Sequence, residues 1–357
     1  MIVNKIKTHN LEKCYSIAPL KYNEKDYILV AAEKTDSCLM FDLDGNLIDT
    51  IWEGPGGTMS MVQVPNSNGQ FLATHKFYSP NDSKEAKIVV VTPKDGKWDV
   101  QTLVDIPHVH RFDIISRDGE YYLIAAALCT GRDFRDDWSL KYKGKVYGAK
   151  LPADLSSYNE NNQLELMVIK DQLFKNHGYY RGKENGYDYS VIGSEDGIFK
   201  VIPPAKDKFN PDHCKDNETD FEVIKLLDLD ASDMTLVDLD GDGDLEMITY
   251  SPFHGANLDL YKLKNGKYEK IWHFPEEFTF SHALWSGEIN GKNIAVLGNR
   301  EGKKQLIGVT MENGEVKTEV YDENVGVANT LCYKNGDKTY IVSANREIDE
   351  IAFYEVK

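Results

Sequence analysis

The sequence lacks the features that mark membrane and nucleic-acid-binding proteins. No stretch reaches the roughly 18 consecutive apolar residues of a membrane-spanning helix. The first twenty residues have neither the apolar core nor the small-residue cleavage site of a signal peptide. Basic residues number 41 against 58 acidic ones, so the net charge is −17. Because nucleic acids and anionic membranes are bound by clustered Lys and Arg, we expect neither as a partner. The oligomeric state is left open.

Cysteine is also scarce, and its spacing excludes the usual frameworks. The five cysteines are far apart and form no C-x-x-C pair: Cys14, Cys38, Cys129, Cys214 and Cys332. An odd number of isolated cysteines favours free thiols in a reducing cytoplasm over a disulfide scaffold. We therefore expect a cytoplasmic protein, with export after removal of a signal as the open alternative. Nucleotide and hydrolase motifs such as GxGxxG before a helix, GxxxxGK[ST] and GxSxG are missing as well.

Helical periodicity is nearly absent, and short β-rich runs separated by Gly, Asn and Asp turns recur along the whole chain. Seven copies of a four-strand pattern can be aligned, with innermost runs such as CYSIAPL (14–20), HRFDIIS (110–116) and HALWSGEI (282–289). Four-stranded units at a period of tens of residues predict the blades of a β-propeller. We predict an all-β, single-domain, seven-bladed propeller of antiparallel blades over 1–357, with six or eight blades as alternatives. The last copy has three strands, so the N-terminal segment is expected to supply its fourth.

One turn carries an acidic motif, DLDGDGDLE (238–246). Its carboxylates fall on alternate positions and would repel one another unless a cation lay between them. Hard cations such as Ca²⁺ take six to eight oxygen ligands from flexible loops of this kind. The sequence predicts a structural calcium site, on the rim between the first and second strands of its blade, with these ligands: Asp238, Asp240, Asp242, Asp244 and Glu246.

Most histidines occupy two positions of the aligned copies, the start of the innermost strand and the end of the second strand. We call these positions columns, and in a propeller they converge at one end of the central channel. The starts of the innermost strands carry Cys14, Thr58 or Met59, His110, His177, Asp233, His282 and Asn329. The ends of the second strands carry Lys34, His75 with Lys76, Arg132, Glu195 with Asp196, His254, Arg300 with Glu301, and Arg346 with Glu347. Six of the nine histidines lie on or beside these columns. A single histidine here would be an ordinary polar residue, whereas the set indicates a functional site.

Imidazoles that converge on one axis suit a borderline transition metal or general acid–base catalysis near neutral pH. We predict a channel metal (Zn²⁺, Mn²⁺ or Fe²⁺) held by His110, His177, His282 and His254. His108, two residues before His110, would lie on the same side of an extended strand and is a possible outer neighbour.

Other residues on or near the columns are candidates for catalysis and binding. We predict His75 or Glu301 as a base, with Arg300, Arg346 or Tyr179 steadying an oxyanion. Substrate-binding candidates share a position at the channel mouth: Lys34, Arg111, Arg132, Trp138 and Asn329. The long irregular stretch 129–144 would fold over that mouth as a lid.

The segments DLDGDGDLE, SPFHG, FSHALW and ANREI resemble the FG-GAP/VCBS propeller superfamily across most of the chain. The superfamily's calcium loops support the ligand set given above, with Glu246 where aspartate is more usual. The histidine-lined channel more specifically resembles the propeller domain of aldos-2-ulose dehydratase (1,5-anhydro-D-fructose dehydratase) and, more loosely, β-propeller polysaccharide lyases. The resemblance implies a carbohydrate lyase, although the chain has no room for the dehydratase's additional domains.

These patterns favour a metal-assisted lyase, dehydratase or isomerase acting on a small sugar or keto sugar. Two alternatives remain open. One is a non-catalytic propeller scaffold with an inert channel, because a fold does not fix a function. The other is an exported polysaccharide lyase, which would need a long, open, basic groove.

Overall fold

A computed structural model describes residues 1–216 and 218–357. Within these residues the strands form seven four-stranded antiparallel sheets, and the seven-bladed, single-domain propeller is confirmed. The innermost strand of each blade contacts that of the next blade along the chain. The innermost strand of the last blade contacts that of the first, which closes the ring. No helix of this described part is long and apolar enough to cross a membrane.

The strands of the first four blades follow in chain order after β1 (Val3–Asn10). The first blade contains β2 (Cys14–Tyr22), β3 (Lys25–Ala32), β4 (Cys38–Asp42) and β5 (Leu47–Trp52). The second contains β6 (Met61–Gln63), β7 (Phe71–His75), β8 (Lys87–Lys94) and β9 (Lys97–Asp105). The third contains β10 (Val109–Arg117), β11 (Glu120–Cys129), β12 (Lys143–Lys150) and β13 (Met167–Leu173). The fourth contains β14 (Gly178–Glu184), β15 (Tyr187–Ser194), β16 (Gly197–Ile202) and β17 (Glu222–Leu227).

The fifth blade contains β18 (Asp233–Val237), β19 (Glu246–Ser251), β20 (Asn257–Lys264) and β21 (Lys267–His273). The sixth contains β22 (Ser281–Ile289), β23 (Lys292–Asn299), β24 (Leu306–Glu312) and β25 (Glu315–Asp322). The seventh contains β26 (Asn329–Asn335), β27 (Lys338–Asn345) and β28 (Glu350–Val356). Short helical turns occur at α1 (His213–Asp216) and, in 3₁₀ form, at Leu140–Tyr142 and Arg346–Ile348.

Tight Asx-Gly turns explain why the strands pair with their sequence neighbours. Both turn residues have positive φ at 95–96, 118–119, 185–186, 265–266, 290–291 and 313–314. Asn, Asp and Gly tolerate this left-handed conformation, and two such residues in succession form the turn whose twist matches a β-hairpin. These turns therefore fix the register of one or two hairpins in each of the second to sixth blades.

The ring closes by pairing the two ends of the chain. β1 runs antiparallel to β28 and forms the outer strand of the last blade. Phe41 of the first blade and Phe353 of the last are both fully buried, and their ring centroids are 5.5 Å apart. Val30 and Val342 pack in the same cluster. The core therefore lies between neighbouring blades, and the first and last blades are joined in the same way as the others.

We expect Phe353→Ala to lower the free energy of unfolding by about 3–5 kcal/mol, because it leaves a cavity at the joint between the first and last blades. Denaturant unfolding followed by tryptophan fluorescence measures the change. Ile48→Ala is the control, since that side chain is 48% exposed, and its effect should stay within about 0.5 kcal/mol. An equally small effect at Phe353 would contradict the role of this joint.

Candidate functional site

Three side chains reach the channel axis from irregularities in the innermost strands. The register of β2 against β3 skips Tyr15, that of β10 against β11 skips His110, and that of β22 against β23 skips His282. Each is the extra residue of a β-bulge, a feature that bends a strand and re-aims a side chain. All three are buried, with at most 3% of each residue exposed. The same local distortion in three blades therefore directs two imidazoles and a phenol toward one point.

Backbone carbonyls of the following blade orient the imidazoles. Nδ1 of His110 lies 3.3 Å from the carbonyl oxygen of His177, and Nδ1 of His177 lies 3.0 Å from that of Ser232. Nδ1 of His282 lies 3.0 Å from the carbonyl oxygen of Ala328. Because a carbonyl only accepts, each Nδ1 carries the proton and donates it. Each Nε2 is therefore left with a lone pair available for a ligand or a proton.

A fourth imidazole comes from the loop after β19. His254 adopts a positive φ of 50° and stacks on Phe253 with ring centroids 3.9 Å apart. Its Nε2 lies 3.3 Å from Nε2 of His177. One ligand nitrogen from each of His177, His254 and His282 lies within 4.8 Å of the other two. His110 stacks on His177 at 4.1 Å between centroids. We call these four residues the histidine cluster.

The structure brings together all four histidines that the sequence predicts as metal ligands. Ligand nitrogens of three of them lie within 4.8 Å of one another. Neutral imidazoles with carbonyl-bound Nδ1 atoms are the donor set typical of zinc, iron and related ions. Two facing Nε2 atoms at 3.3 Å repel unless a proton or a cation lies between them. The residues therefore fit a transition-metal ion, and they fit proton exchange equally well.

Tyr15 is the central residue that the sequence analysis missed. Its hydroxyl lies 2.9 Å from Nε2 of His282 and 3.5 Å from Nε2 of His110. Since His282 keeps its proton on Nδ1, the phenol donates to its Nε2. The sequence alignment placed the neighbouring Cys14 on the column, one residue before the bulge position that His110 and His282 occupy in their blades. Aligning the first blade on the positions of His110 and His282 would have identified Tyr15.

Burial shifts the proton equilibria of the cluster. The pKa values of His110, His177 and His282 lie well below the usual 6.5, chiefly because burial disfavours the charged imidazole. The pKa of His254 is lowered to about 3 by burial and by the positive charge of Arg300. Burial raises the pKa of Tyr15 to about 12. At neutral pH the cluster thus consists of neutral imidazoles and a neutral phenol.

An axial cavity of about 880 Å³ extends from the cluster toward the hairpins that join the first and second strands of the blades. Its wall includes His282, Arg111, Asp233 and Asn329. Oδ1 of Asp233 accepts the N–H groups of Tyr179 and Met234, at 3.1 and 2.9 Å, which fixes the carboxyl group. Oδ2 lies 3.8 Å from Nη2 of Arg111, beyond hydrogen-bond distance. A polar group of a ligand could therefore bridge the two side chains.

The predicted binding residues Arg111 and Asn329 thus line the axial cavity. Arg111 also donates to the carbonyl of Met59 at 3.0 Å and lies 5.8 Å from the Tyr15 ring centroid. Burial raises the pKa of Asp233 to about 6, against the opposing effect of Arg111. Tyr179 lines the same cavity, but its hydroxyl is 2.6 Å from Oγ of Ser190 and already has that partner.

The irregular stretch 129–144 reaches the strand-start side of the cluster. Trp138 packs on Phe253 with centroids 5.5 Å apart, and Phe253 packs on His254 and His177. Arg132 lies 4.0 Å above the Trp138 ring and donates to the carbonyl of Asp137. These two predicted binding residues therefore contribute to an aromatic cover over the histidines, next to the cluster but outside the axial cavity.

Ion pairs engage the charged residues predicted at the mouth. Arg300 pairs with Glu347 at 2.8 Å, and Arg346 pairs with Glu33 and Glu347. An oxyanion would compete with these carboxylates for either guanidinium. Arg300 nevertheless lies 4.4 Å from the ring centroid of Phe280, which contacts His254, so its charge acts on the cluster.

Four residues named in the sequence analysis lie away from the cluster. His75 is buried against Trp52, with ring centroids 4.6 Å apart, and its Nε2 has no hydrogen-bond partner among the described residues. Burial lowers its pKa to about 4. The side chain of Glu301 is exposed at the surface, and the Lys34 ammonium donates to the carbonyl of Tyr78. His108 hydrogen-bonds with Ser83 at 2.8 Å.

The acidic loop 238–246 joins β18 to β19, on the rim where the sequence places it. Carboxylate oxygens of Asp238, Asp240 and Glu246 lie within 4.8 Å of one another. Asp242 joins this group through Lys262, a residue of β20 whose ammonium contacts Asp240, Asp242 and Glu246. Asp244 donates its N–H to Asp242 at 2.9 Å.

Comparison with known proteins identifies the fold and no family. No family model matches the chain, and no curated protein matches it in sequence. Among solved structures, the chain is similar to a crystal structure of selenomethionine-substituted virginiamycin B lyase from Staphylococcus aureus. The TM-score is 0.58 and the sequence identity is 11%, over 98% of this chain and 99% of the other. At that identity the match supports the propeller architecture alone.

We expect the free energy of unfolding to fall as the pH is lowered from 6.5. Unfolded histidines take up a proton near 6.5 whereas His254 stays neutral until about 3, so the unfolded state binds more protons in this window. Asp233, whose pKa is raised to about 6, acts in the opposite direction, but it is only one titrating group. Urea unfolding at closely spaced pH values from 6.5 to about 5, above the range of ordinary carboxylates, measures the slope.

His254→Gln should reduce that slope, because one buried titrating group is removed. Phe253→Leu is the matched control, since it changes the packing on the same imidazole and removes no titratable group. A slope that is unchanged in His254→Gln would show that the cluster does not set the pH dependence.

Proposed function

We propose that the protein is a lyase or isomerase that acts on a small sugar or keto sugar at the inner end of the axial cavity. The observation that carries the proposal is the convergence of His177, His254 and His282, whose candidate ligand nitrogens lie within 4.8 Å of one another and of which His282 lines this cavity. The carbonyl-bound Nδ1 atoms leave Nε2 of His177 and His282 free of protons, and the lowered pKa values keep all three imidazoles neutral at neutral pH. Perturbed titratable groups beside a cavity are typical of active sites.

We propose that the cluster holds a divalent transition-metal ion, with His177, His254 and His282 as ligands and His110 as an outer neighbour or fourth ligand. A bound Zn²⁺, Mn²⁺ or Fe²⁺ ion supplies Lewis-acid polarisation of a carbonyl or hydroxyl oxygen. The rest of the chemistry belongs to the side chains. With Nε2 of His282 engaged by the ion and His110 as an outer neighbour, Tyr15 can pass a proton between Nε2 of His110, 3.5 Å away, and the substrate.

Asp233 and Arg111 are the groups we assign to substrate binding, with Asn329. The Arg111 guanidinium donates to a carbonyl or carboxylate oxygen, and Oδ2 of Asp233 accepts from a hydroxyl group. Because the pKa of Asp233 is about 6, the carboxyl group can also exchange a proton near neutral pH. In an elimination, one group removes the C–H proton next to the carbonyl, and the departing hydroxyl takes a proton and leaves as water.

The shape of the cavity supports a small substrate. Its volume of about 880 Å³ lies within the range of small-molecule sites, about 300–1,000 Å³. The inner strands surround it, whereas a polysaccharide requires an open groove. Tyr27, Tyr180 and Trp285 line its outer part and provide flat surfaces on which a sugar ring can pack.

Two resemblances support elimination as the reaction class. The chain resembles FG-GAP/VCBS propellers and the propeller domain of aldos-2-ulose dehydratase in the motifs quoted above. The virginiamycin B lyase of similar fold is named a lyase, and this is an analogy at the level of the fold. We further propose a cytoplasmic location, which is supported by the free thiols of all five cysteines in the structure.

Loss of cluster histidines is expected to abolish metal binding and activity while the propeller stays folded. His177→Asn and His282→Asn should lose the bound transition metal, measured by plasma mass spectrometry on protein purified without a histidine tag or chelator. Dehydration of a panel of keto sugars, followed by the ultraviolet absorbance of the conjugated product, reports activity; isomerisation of the same panel is followed by chromatography. His273→Asn is the control, because this histidine lies on the outer strand β21 and pairs with Asp259. Full activity in both cluster variants would refute the proposal.

Tyr15→Phe should lower the rate by about 10²-fold or more, the usual range for a general acid–base group. The ring remains, so the thermal midpoint and the metal content should not change. Tyr250→Phe is the matched control, since its buried hydroxyl donates to the carbonyl of Ala283, away from the axial cavity. An equal, small effect in both variants would remove Tyr15 from the chemistry.

A further inference from the structure

A lysine lies at the centre of the acidic loop 238–246. The ammonium of Lys262 is 2.6 Å from Oδ2 of Asp242 and 3.2 Å from Oε1 of Glu246, and it also pairs with Oδ2 of Asp240. Lys262 belongs to β20, the third strand of the blade, and is separated from the loop in sequence. One ammonium from a neighbouring strand therefore contacts three carboxylates and offsets part of their negative charge.

Glu246 shows that the loop requires a cation. The residue is fully buried, and its Oε2 accepts the N–H of Leu239 at 2.7 Å. Its Oε1 has no hydrogen-bond partner among the described residues and faces the Lys262 ammonium. A buried carboxylate without a compensating charge would be strongly destabilising. Burial raises the pKa of Glu246, while the lysine acts to lower it.

The other carboxylate oxygens of the loop are partly engaged by its own backbone. Asp238 accepts the N–H groups of Gly241 at 2.7 Å and Gly243 at 3.1 Å. Oδ1 of Asp242 accepts the N–H of Asp244. The loop is thus closed by internal hydrogen bonds around the ammonium, and a calcium ion, which needs six to eight oxygens, would compete for the same atoms.

We propose that Lys262 is the resident cation of this loop and that a hard divalent cation such as Ca²⁺ binds there only by displacing the ammonium. The acidic motif alone predicts an ordinary calcium site. The lysine reduces the repulsion among the carboxylates from within the chain, so that the blade keeps its shape when calcium is scarce. The inference concerns the rim of the fifth blade and does not depend on the function proposed for the axial cavity.

The test is calcium titration of the wild-type protein and of Lys262→Met by isothermal calorimetry, after removal of divalent ions. Methionine is similar in length and has no charge. We expect Lys262→Met to bind calcium at least about tenfold more tightly, because a positive charge has been removed from among the ligands. In calcium-free buffer the variant should also unfold at a lower temperature than the wild type, and calcium should restore the midpoint.

Two controls locate the effect. Lys264→Met removes another lysine of β20, which pairs with Glu269 at the surface, and should leave calcium binding unchanged. Adding Asp240→Asn to Lys262→Met should abolish the gained affinity, since that ligand belongs to the loop. Lys262→Gln provides a second variant, which retains a hydrogen-bond donor, if Lys262→Met does not fold without calcium.

Equal calcium affinity in the wild type and in both Lys262 variants would overturn the proposal, because the lysine would then not compete for the site. Absence of calcium binding in the variants would overturn it as well, since the loop would not be a cation site even when vacated.

Discussion

The hydrogen bond from an imidazole Nδ1 to a backbone carbonyl of the following blade is the interaction on which the site depends. His110, His177 and His282 each make it, and each bond crosses a blade boundary. It fixes the tautomer and leaves Nε2 directed toward the others. A propeller offers the same carbonyl at the start of every blade, so the fold repeats one orienting contact around its axis. The ring geometry and the site chemistry therefore have the same origin.

The electrostatics of the axis differ from those of the whole molecule. The chain carries a net charge of −17, yet Arg111 and Arg300 both act to lower the pKa values of His254 and His282. Burial and these guanidinium groups together keep the imidazoles neutral, which suits them as metal ligands or bases at neutral pH. Asp233 is the acidic member of the cavity wall, and burial brings its pKa near 6. Donors, acceptors and exchangeable protons are thus concentrated along the axis.

Much of the fold was predictable because its determinants are local. Asx-Gly turns and alternating strands set the hairpins, and their repetition indicated seven blades. The histidine columns followed from the same alignment, since each strand begins at the same end of the channel. Tyr15 was missed because the alignment of the first blade was offset by one residue from the position that His110 and His282 occupy. The pairing of Arg300 with Glu347 and that of Arg346 with Glu33 each join two neighbouring blades, so neither follows from local sequence.

The sequence by itself determined the repeat, the antiparallel blades, the acidic loop and the set of histidines near one end of the axis. These depend on turns, periodicity and spacing, which act within about ten residues. Only the tertiary structure decided which nitrogens carry protons, that Tyr15 joins the cluster, that Arg111 and Asp233 face the cavity, and that Lys262 enters the acidic loop. Those facts depend on contacts between strands and blades, where hydrogen bonding and burial act between residues far apart in the chain.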